Sequence, residues 1–189
     1  MTIVRSTIAN NAGHGSLKPG GILNRGELTV MYSTIAGNVG LGDPGGIDDA
    51  SGAPATITAT VIAANVTTNG DRWDCAGPVT SNGYNLLGGT DQPSSYPSHP
   101  CAYSADATDQ RRADADQPAA LPLGGHGGST KTMPPRDTSP AIDVIPIGAL
   151  AADGTTPVCP SFGTKDQRGV PRPQGSACDV GSVERKPKE

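Results

Sequence analysis

Three loops of this chain carry the side chains that could do chemistry. Residues 12–19 hold His14 and Lys18, residues 39–44 hold Asp43, and residues 66–74 hold Asp71, Arg72, Trp73 and Asp74. A polysaccharide lyase needs a cation to neutralise a uronate carboxylate and a base to take the adjacent proton. Lys18 or Arg72 suits the first task and His14 the second. A glycoside hydrolase needs two carboxylates facing each other across the scissile bond, and Asp43 and Asp71 are the nearest pair. Against both stands a plainer reading, in which these are charged loop tips with no diagnostic spacing. Asp43, Asp48 and Asp49 surround Gly45-Gly46 and offer oxygens of the kind calcium takes, although no EF-hand or Gly-Gly-x-Gly-x-Asp repeat is present. Asp residues capping a glycine turn explain them equally well. Trp73, the single Trp, would stack on a sugar ring if exposed, with Asp74 beside it; the alternative is packing next to Cys75. Asp166, Arg168, Arg172 and Asp179 read as a structural ion-pair cluster. No nucleophile elbow, phosphate loop or His/Cys metal pattern occurs.

What positions these loops is a repeat. Thr2–Asn11, Thr29–Asn38 and Thr56–Asn65 align without gaps at a 27-residue offset. Ile3, Val30 and Ile57 share one column, Ile8, Ile35 and Ile62 another, and Ser6, Ser33 and Thr60 a third. Asn11, Asn38 and Asn65 make a fourth. Gly20-Gly21-Ile22 recurs as Gly45-Gly46-Ile47 at 25 residues, so loop length varies between blocks. Self-similarity at this period marks a solenoid. With 26 Gly and 18 Pro in 189 residues, a helical solenoid is ruled out, since candidate helices are interrupted throughout. Short β-branched runs broken by Gly and Asn fit a parallel β-helix, in which like residues stack about 4.8 Å apart. The Asn column then becomes a structural ladder of side-chain amides. Asn65-Val66-Thr67 also matches a glycosylation acceptor, but a ladder position is buried.

The last regular coil is expected at residues 78–87, with late strands at Ala141–Ile145 and Asp179–Val183. Residues 91–184 should shield the open end of the stack. Of three possible cysteine connectivities, sequential pairing is expected, Cys75–Cys101 and Cys159–Cys178, which implies an oxidising compartment. Met1–Ser6 lacks the marks of an export signal and begins inside a strand. The chain therefore reads as the carboxy-terminal piece of a longer solenoid, or as one whose first edge another chain covers. A net charge of −4 argues against nucleic-acid binding, and no apolar run is long enough for a transmembrane segment.

Four blocks occur in order: Ser139-Pro140-Ala141-Ile142-Asp143, Cys159-Pro160, Asp166-Gln167-Arg168-Gly169-Val170-Pro171-Arg172-Pro173 and Cys178-Asp179-Val180-Gly181-Ser182-Val183-Glu184. Together they resemble the carboxy-terminal region of bacterial choice-of-anchor Q surface proteins, which follows right-handed parallel β-helix repeats. His126-Gly127-Gly128-Ser129-Thr130 is similar to a further block, with His126 and Ser129 where that family favours Asn and Pro. The resemblance implies export and a surface or extracellular location, but no particular chemistry. It leaves the mode of attachment open.

The expected molecule is thus an all-β, right-handed parallel β-helix of three to five coils. Residues 1–90 form the coils, 91–184 the loop-rich C-terminal coils and cap, and 185–189 a charged tail. Its expected role is a non-catalytic secreted or cell-surface module for glycan binding, adhesion or display. The alternative is a carbohydrate-active enzyme, lyase or hydrolase, with its site in a lateral groove. No cofactor is expected beyond possible Ca2+, and the expected partner is a polysaccharide or a host or cell-surface glycan.

Overall fold

The computed structural model describes residues 1–15, 18–88, 100–111 and 122–186. Residues 16–17 of the first loop, 89–90 of the expected coils, 91–99 and 112–121 of the expected cap and 187–189 of the expected tail lie outside them. In chain order the first strands are β1 (Thr2–Val4), β2 (Thr7–Ala9), β3 (Ile22–Asn24), β4 (Thr29–Met31), β5 (Thr34–Ala36) and β6 (Val39–Gly40). Then come β7 (Ile47–Asp49), β8 (Ala55–Thr58), β9 (Val61–Ala63), β10 (Val66–Thr67), β11 (Cys75–Ser81) and β12 (Leu86–Leu87). The last are β13 (Cys101–Ser104), β14 (Gln110–Arg111), β15 (Thr164–Lys165) and β16 (Pro171–Arg172). Among the described residues there is no helix, and so none that could cross a membrane.

The strands stack as a parallel β-solenoid of about four turns. One face is β1, β4, β8, the end of β11, and β13; a second is β2, β5, β9, β12 and β14. A third is β3, β7 and the start of β11, which turns the corner through Gly77 at φ 76°. The observed registers are those of the repeat: Ile3 beside Val30 beside Ile57, Ile8 beside Ile35 beside Ile62, and Ile22 beside Ile47. Leu87 follows Ile62 in its column and Cys75 follows Ile47. Inside, Val30, Ile35, Ile47, Ile57, Ile62, Val79 and Leu87 form a buried aliphatic core. The windings run past the expected last coil, because β13 and β14 continue two of the faces.

Corners are cut by left-handed residues that repeat with the windings. Arg5, Tyr32 and Ala59 have φ of 48°, 47° and 47°, and Asn10, Gly37 and Ala64 have 57°, 67° and 58°. A non-glycine residue in this region costs roughly 1–2 kcal/mol. Ala64→Gly should therefore stabilise the protein by about 0.5–1 kcal/mol after the added chain entropy of glycine, read as a higher urea midpoint at unchanged slope.

Of the expected cap, residues 101–111 close the end of the stack as β13 and β14, whereas residues 139–184 lie along the flank, against the outer side of the second face, and touch successive windings. Thr7 Oγ1 donates to Gln167 Oε1 (2.6 Å), Ser182 N–H to Thr34 Oγ1 (3.1 Å), and Gly181 N–H to the Ala59 carbonyl (2.9 Å). Further on, Ala152 N–H reaches the Asn82 carbonyl (3.0 Å) and Gln110 Nε2 the Pro140 carbonyl (3.1 Å). A second core forms in between: Ala59, Val61, Ala63 and Leu86 against Ala141, Ile145, Val158, Cys159, Cys178 and Val180. The second face is thus buried on both sides, which is why Val61-Ile62-Ala63 shows no polar alternation. The late strands expected at Ala141–Ile145 and Asp179–Val183 are turns, bridged only between Ile145 and Cys178; Asp143 (φ 52°) breaks the first run and Gly181 (φ 98°) the second. Both disulfides pair as expected, Cys75–Cys101 tying two windings and Cys159–Cys178 pinning the flank.

Candidate functional site

The polar columns consume much of the chemistry. Asn11 Nδ2 donates to Asn38 Oδ1 (2.9 Å), Asn38 Nδ2 to Asn65 Oδ1 (2.9 Å), and Asn65 Nδ2 to Asp74 Oδ1 (2.7 Å). The same three oxygens also accept the backbone N–H of Asn11, Asn38 and Asn65. Asp74, expected among the ligand contacts, is the last rung of the ladder and fully buried. The Ser6–Ser33–Thr60 column likewise continues into Asn85 and ends on Asp109, whose Oδ1 accepts Asn85 N–H (2.9 Å). On the third face Asn24 Nδ2 donates to Asp49 Oδ1 (3.1 Å). An amide both donates and accepts, so it passes a column on; a carboxylate only accepts, and ends it. Glycine opposite the ladder makes room: a Cβ on Gly46 would lie 2.0 Å from the Asp74 carbonyl.

The three loops leave one side of the stack. Ala12 bridges to Val39, and Val39 pairs with Val66. His14, Lys18, Asp71 and Arg72 are exposed there and Asp43 is half-buried. Lys18 is tied through its main chain to Leu41, and Asp71 sits in a tight turn, its carbonyl accepting Thr67 N–H (2.8 Å). Trp73 is fully buried, so its ring offers no face for stacking. Of the calcium candidates, Asp48 is half-buried, while Asp49 is buried with both oxygens engaged: Oδ1 by Ser51 N–H (2.9 Å), Oδ2 by Ala55 N–H (2.7 Å). Among the described residues, no group of three or more His, Cys, Asp or Glu is placed to hold a metal.

The ion-pair cluster differs from expectation in one partner. Asp166 pairs with Arg168 (2.9 Å), but Arg172 pairs with Glu184 (3.0 Å). The Asp179 carboxylate instead accepts the main-chain N–H of Asp143 (2.8 Å) and Arg185 (2.6 Å), and only its carbonyl reaches Arg172 (2.7 Å). Neither spacing nor periodicity distinguishes the two acids in this turn-rich segment. Burial pushes the Glu184 carboxyl up to about 7, against the pull of the Arg172 guanidinium and two backbone N–H groups. Between about pH 4.5 and 7 the folded chain then holds a proton that the unfolded chain has released, so this group's contribution to stability is fully present below that window and is lost as pH rises through it. The drop should be on the order of 2–3 kcal/mol, and the slope of urea stability against pH should flatten in Glu184→Gln.

A cleft of about 440 Å³ opens between the corner of the first two windings and the flank. Val4, Arg5 and Tyr32 form one wall; Pro157, Pro160, Gly163, Thr164, Lys165 and Arg172 form the other. Its size falls in the range of ligand sites, roughly 300–1,000 Å³. Arg5 and Tyr32 occupy the same left-handed corner column, which sends both side chains to this cleft. Arg5 Nη1 donates to the Lys165 carbonyl (3.3 Å), and the Tyr32 hydroxyl to the Pro157 carbonyl (2.8 Å). The Arg172 guanidinium lies 5.6 Å from the Tyr32 ring centroid. Phe162, at 84% exposure the most exposed large apolar side chain among the described residues, stands next to the lining residue Gly163. The sequence gives no sign of this cleft, since its walls are more than 120 residues apart and only one of them repeats. No family model, curated protein or solved structure matches the chain.

Proposed function

We propose that this chain is a non-catalytic, extracellular β-solenoid module that binds a glycan in the flank cleft. The observation that carries the reading is the lining of that cleft: aromatic and proline surface for a ring, beside polar groups suited to hydroxyls. Two disulfides support an oxidising, extracellular location, and the resemblance of residues 139–184 to a choice-of-anchor Q region of bacterial surface proteins supports export. The test is a glycan array with the disulfide-intact chain, followed by amine acylation with and without a bound oligosaccharide. Binding without release of reducing or unsaturated ends, and protection of Lys165 from acylation, is expected. Turnover that disappears in His14→Ala or Asp43→Ala would overturn it in favour of an enzyme in the loop groove.

A further inference from the structure

We infer that the ligand of this cleft is an acidic saccharide, its carboxylate or sulfate held between Arg5 and Lys165. The inference rests on the glycan-binding reading above and adds the charge of the ligand. The C-terminal region pairs its buried and half-buried arginines with acids: Arg168 with Asp166, Arg172 with Glu184, Arg185 with Asp137. Arg5 and Lys165 stand apart. Among the described residues neither has a carboxylate partner, and the Arg5–Lys165 main-chain contact holds both on one rim. No acid lines the cleft, although the chain as a whole carries a net charge of −4.

The hydrogen-bonding groups left over in the walls point the same way. Among the described residues, the Nε–H of Arg172, which is only 3% exposed, has no acceptor, and Thr164 Oγ1 has no partner. An arginine N–H can only donate, so the complement is an acceptor-rich ligand. The Tyr32 hydroxyl lies within reach of the Pro157 and Val158 carbonyls (2.8 and 2.9 Å) and gives its single proton to one of them, which fixes the ring against this wall. Val4, Pro157 and Pro160 supply apolar surface for the face of a sugar ring.

The experiment is calorimetric titration of the disulfide-intact chain with four probes: oligogalacturonate, a carrageenan-type sulfated galactan oligosaccharide that has no carboxylate, a neutral maltooligosaccharide and poly-glutamate. Binding of either acidic saccharide, weakened by added salt and about tenfold weaker in Arg5→Gln/Lys165→Gln, is expected. Preference between the two then tells carboxylate from sulfate. Both substituted residues are exposed, so the variant should melt with the parent. Equal affinity for the neutral oligosaccharide, unmoved by salt or by the double substitution, overturns the acidic inference and leaves the glycan reading standing. Binding of no saccharide by a chain that melts normally overturns both, and tighter binding of poly-glutamate than of any saccharide overturns the choice of a sugar.

Discussion

Asn65→Ala should cost about 3–5 kcal/mol, whereas Asn11→Ala, the same change in the same column, should cost under about 1 kcal/mol. The difference is burial and what each rung leaves behind. Asn65 is fully buried and its Oδ1 accepts both the backbone N–H and the Nδ2 of Asn38. Its own Nδ2 serves the Ile35 carbonyl (2.9 Å) and the Asp74 carboxylate (2.7 Å). Truncation strands the Asn38 N–H inside the stack and strips a donor from a buried carboxylate, and each such loss costs roughly 1–3 kcal/mol. Asn11 sits exposed at the first winding, and its loss frees only one amide contact that water replaces. Against a total stability of about 5–15 kcal/mol, the inner change alone brings the fold near its limit. Urea unfolding of the two variants decides it, and equal costs would show that the ladder does not hold the windings in register. Asn65→Asp, nearly isosteric, makes the point from charge: it sets two carboxylates within hydrogen-bond distance, so it should be damaging at neutral pH and partly relieved in acid.

The windings were legible because stacking makes sequence periodicity a spatial fact: Ile8, Ile35 and Ile62 are neighbours for the same reason that they are 27 residues apart. What broke the period was hidden by the same logic. Trp73-Asp74-Cys75 replaces the third occurrence of Gly-Gly-Ile, and a comparison of like with like passes over a carboxylate that ends a column of amides. Asp74 looked like a surface group because it closely follows two exposed loop residues, Asp71 and Arg72, while the buried Trp73 takes the packing role beside Cys75 that the sequence also offered. The C-terminal region has no period at all. Its turns are stitched to the flank by scattered contacts, through main-chain groups at Gly181 and Ala152 and through the side chains of Ser182 and Gln167, and scattered contacts leave no periodic signature. For that reason the sequence could not say which part of this region closes the stack and which part lines its flank, and it could show neither the Glu184 partner of Arg172 nor the cleft that Arg172 helps to form.

Arg172→Met should destabilise the chain by about 3–5 kcal/mol, the usual penalty for leaving a buried charge without its partner. The guanidinium donates to the Asp179 carbonyl (2.7 Å), the Gly181 carbonyl (2.6 Å) and Glu184 Oε2 (3.0 Å), so one side chain fixes three points of the terminal turn. Without it, two carbonyls lose their donors and Glu184 keeps only the N–H groups of Gln174 and Asp179. A desolvated carboxyl then has a stronger preference for its proton than the value of about 7 that it has beside the arginine. The penalty should therefore depend on pH, smaller near pH 5 where Glu184 is neutral and larger at pH 8 where unpaired charge must be buried. Arg172→Met/Glu184→Gln should recover at least about 1 kcal/mol of the single-variant loss at pH 8 and little at pH 5, a coupling that a double-mutant cycle measures directly. A pH-independent penalty with no coupling would mean that Arg172 acts only by filling space beneath Tyr32. The pH-dependent result would instead locate the strength of the flank in one ion pair, the same pair that holds the Arg172 side chain against the cleft.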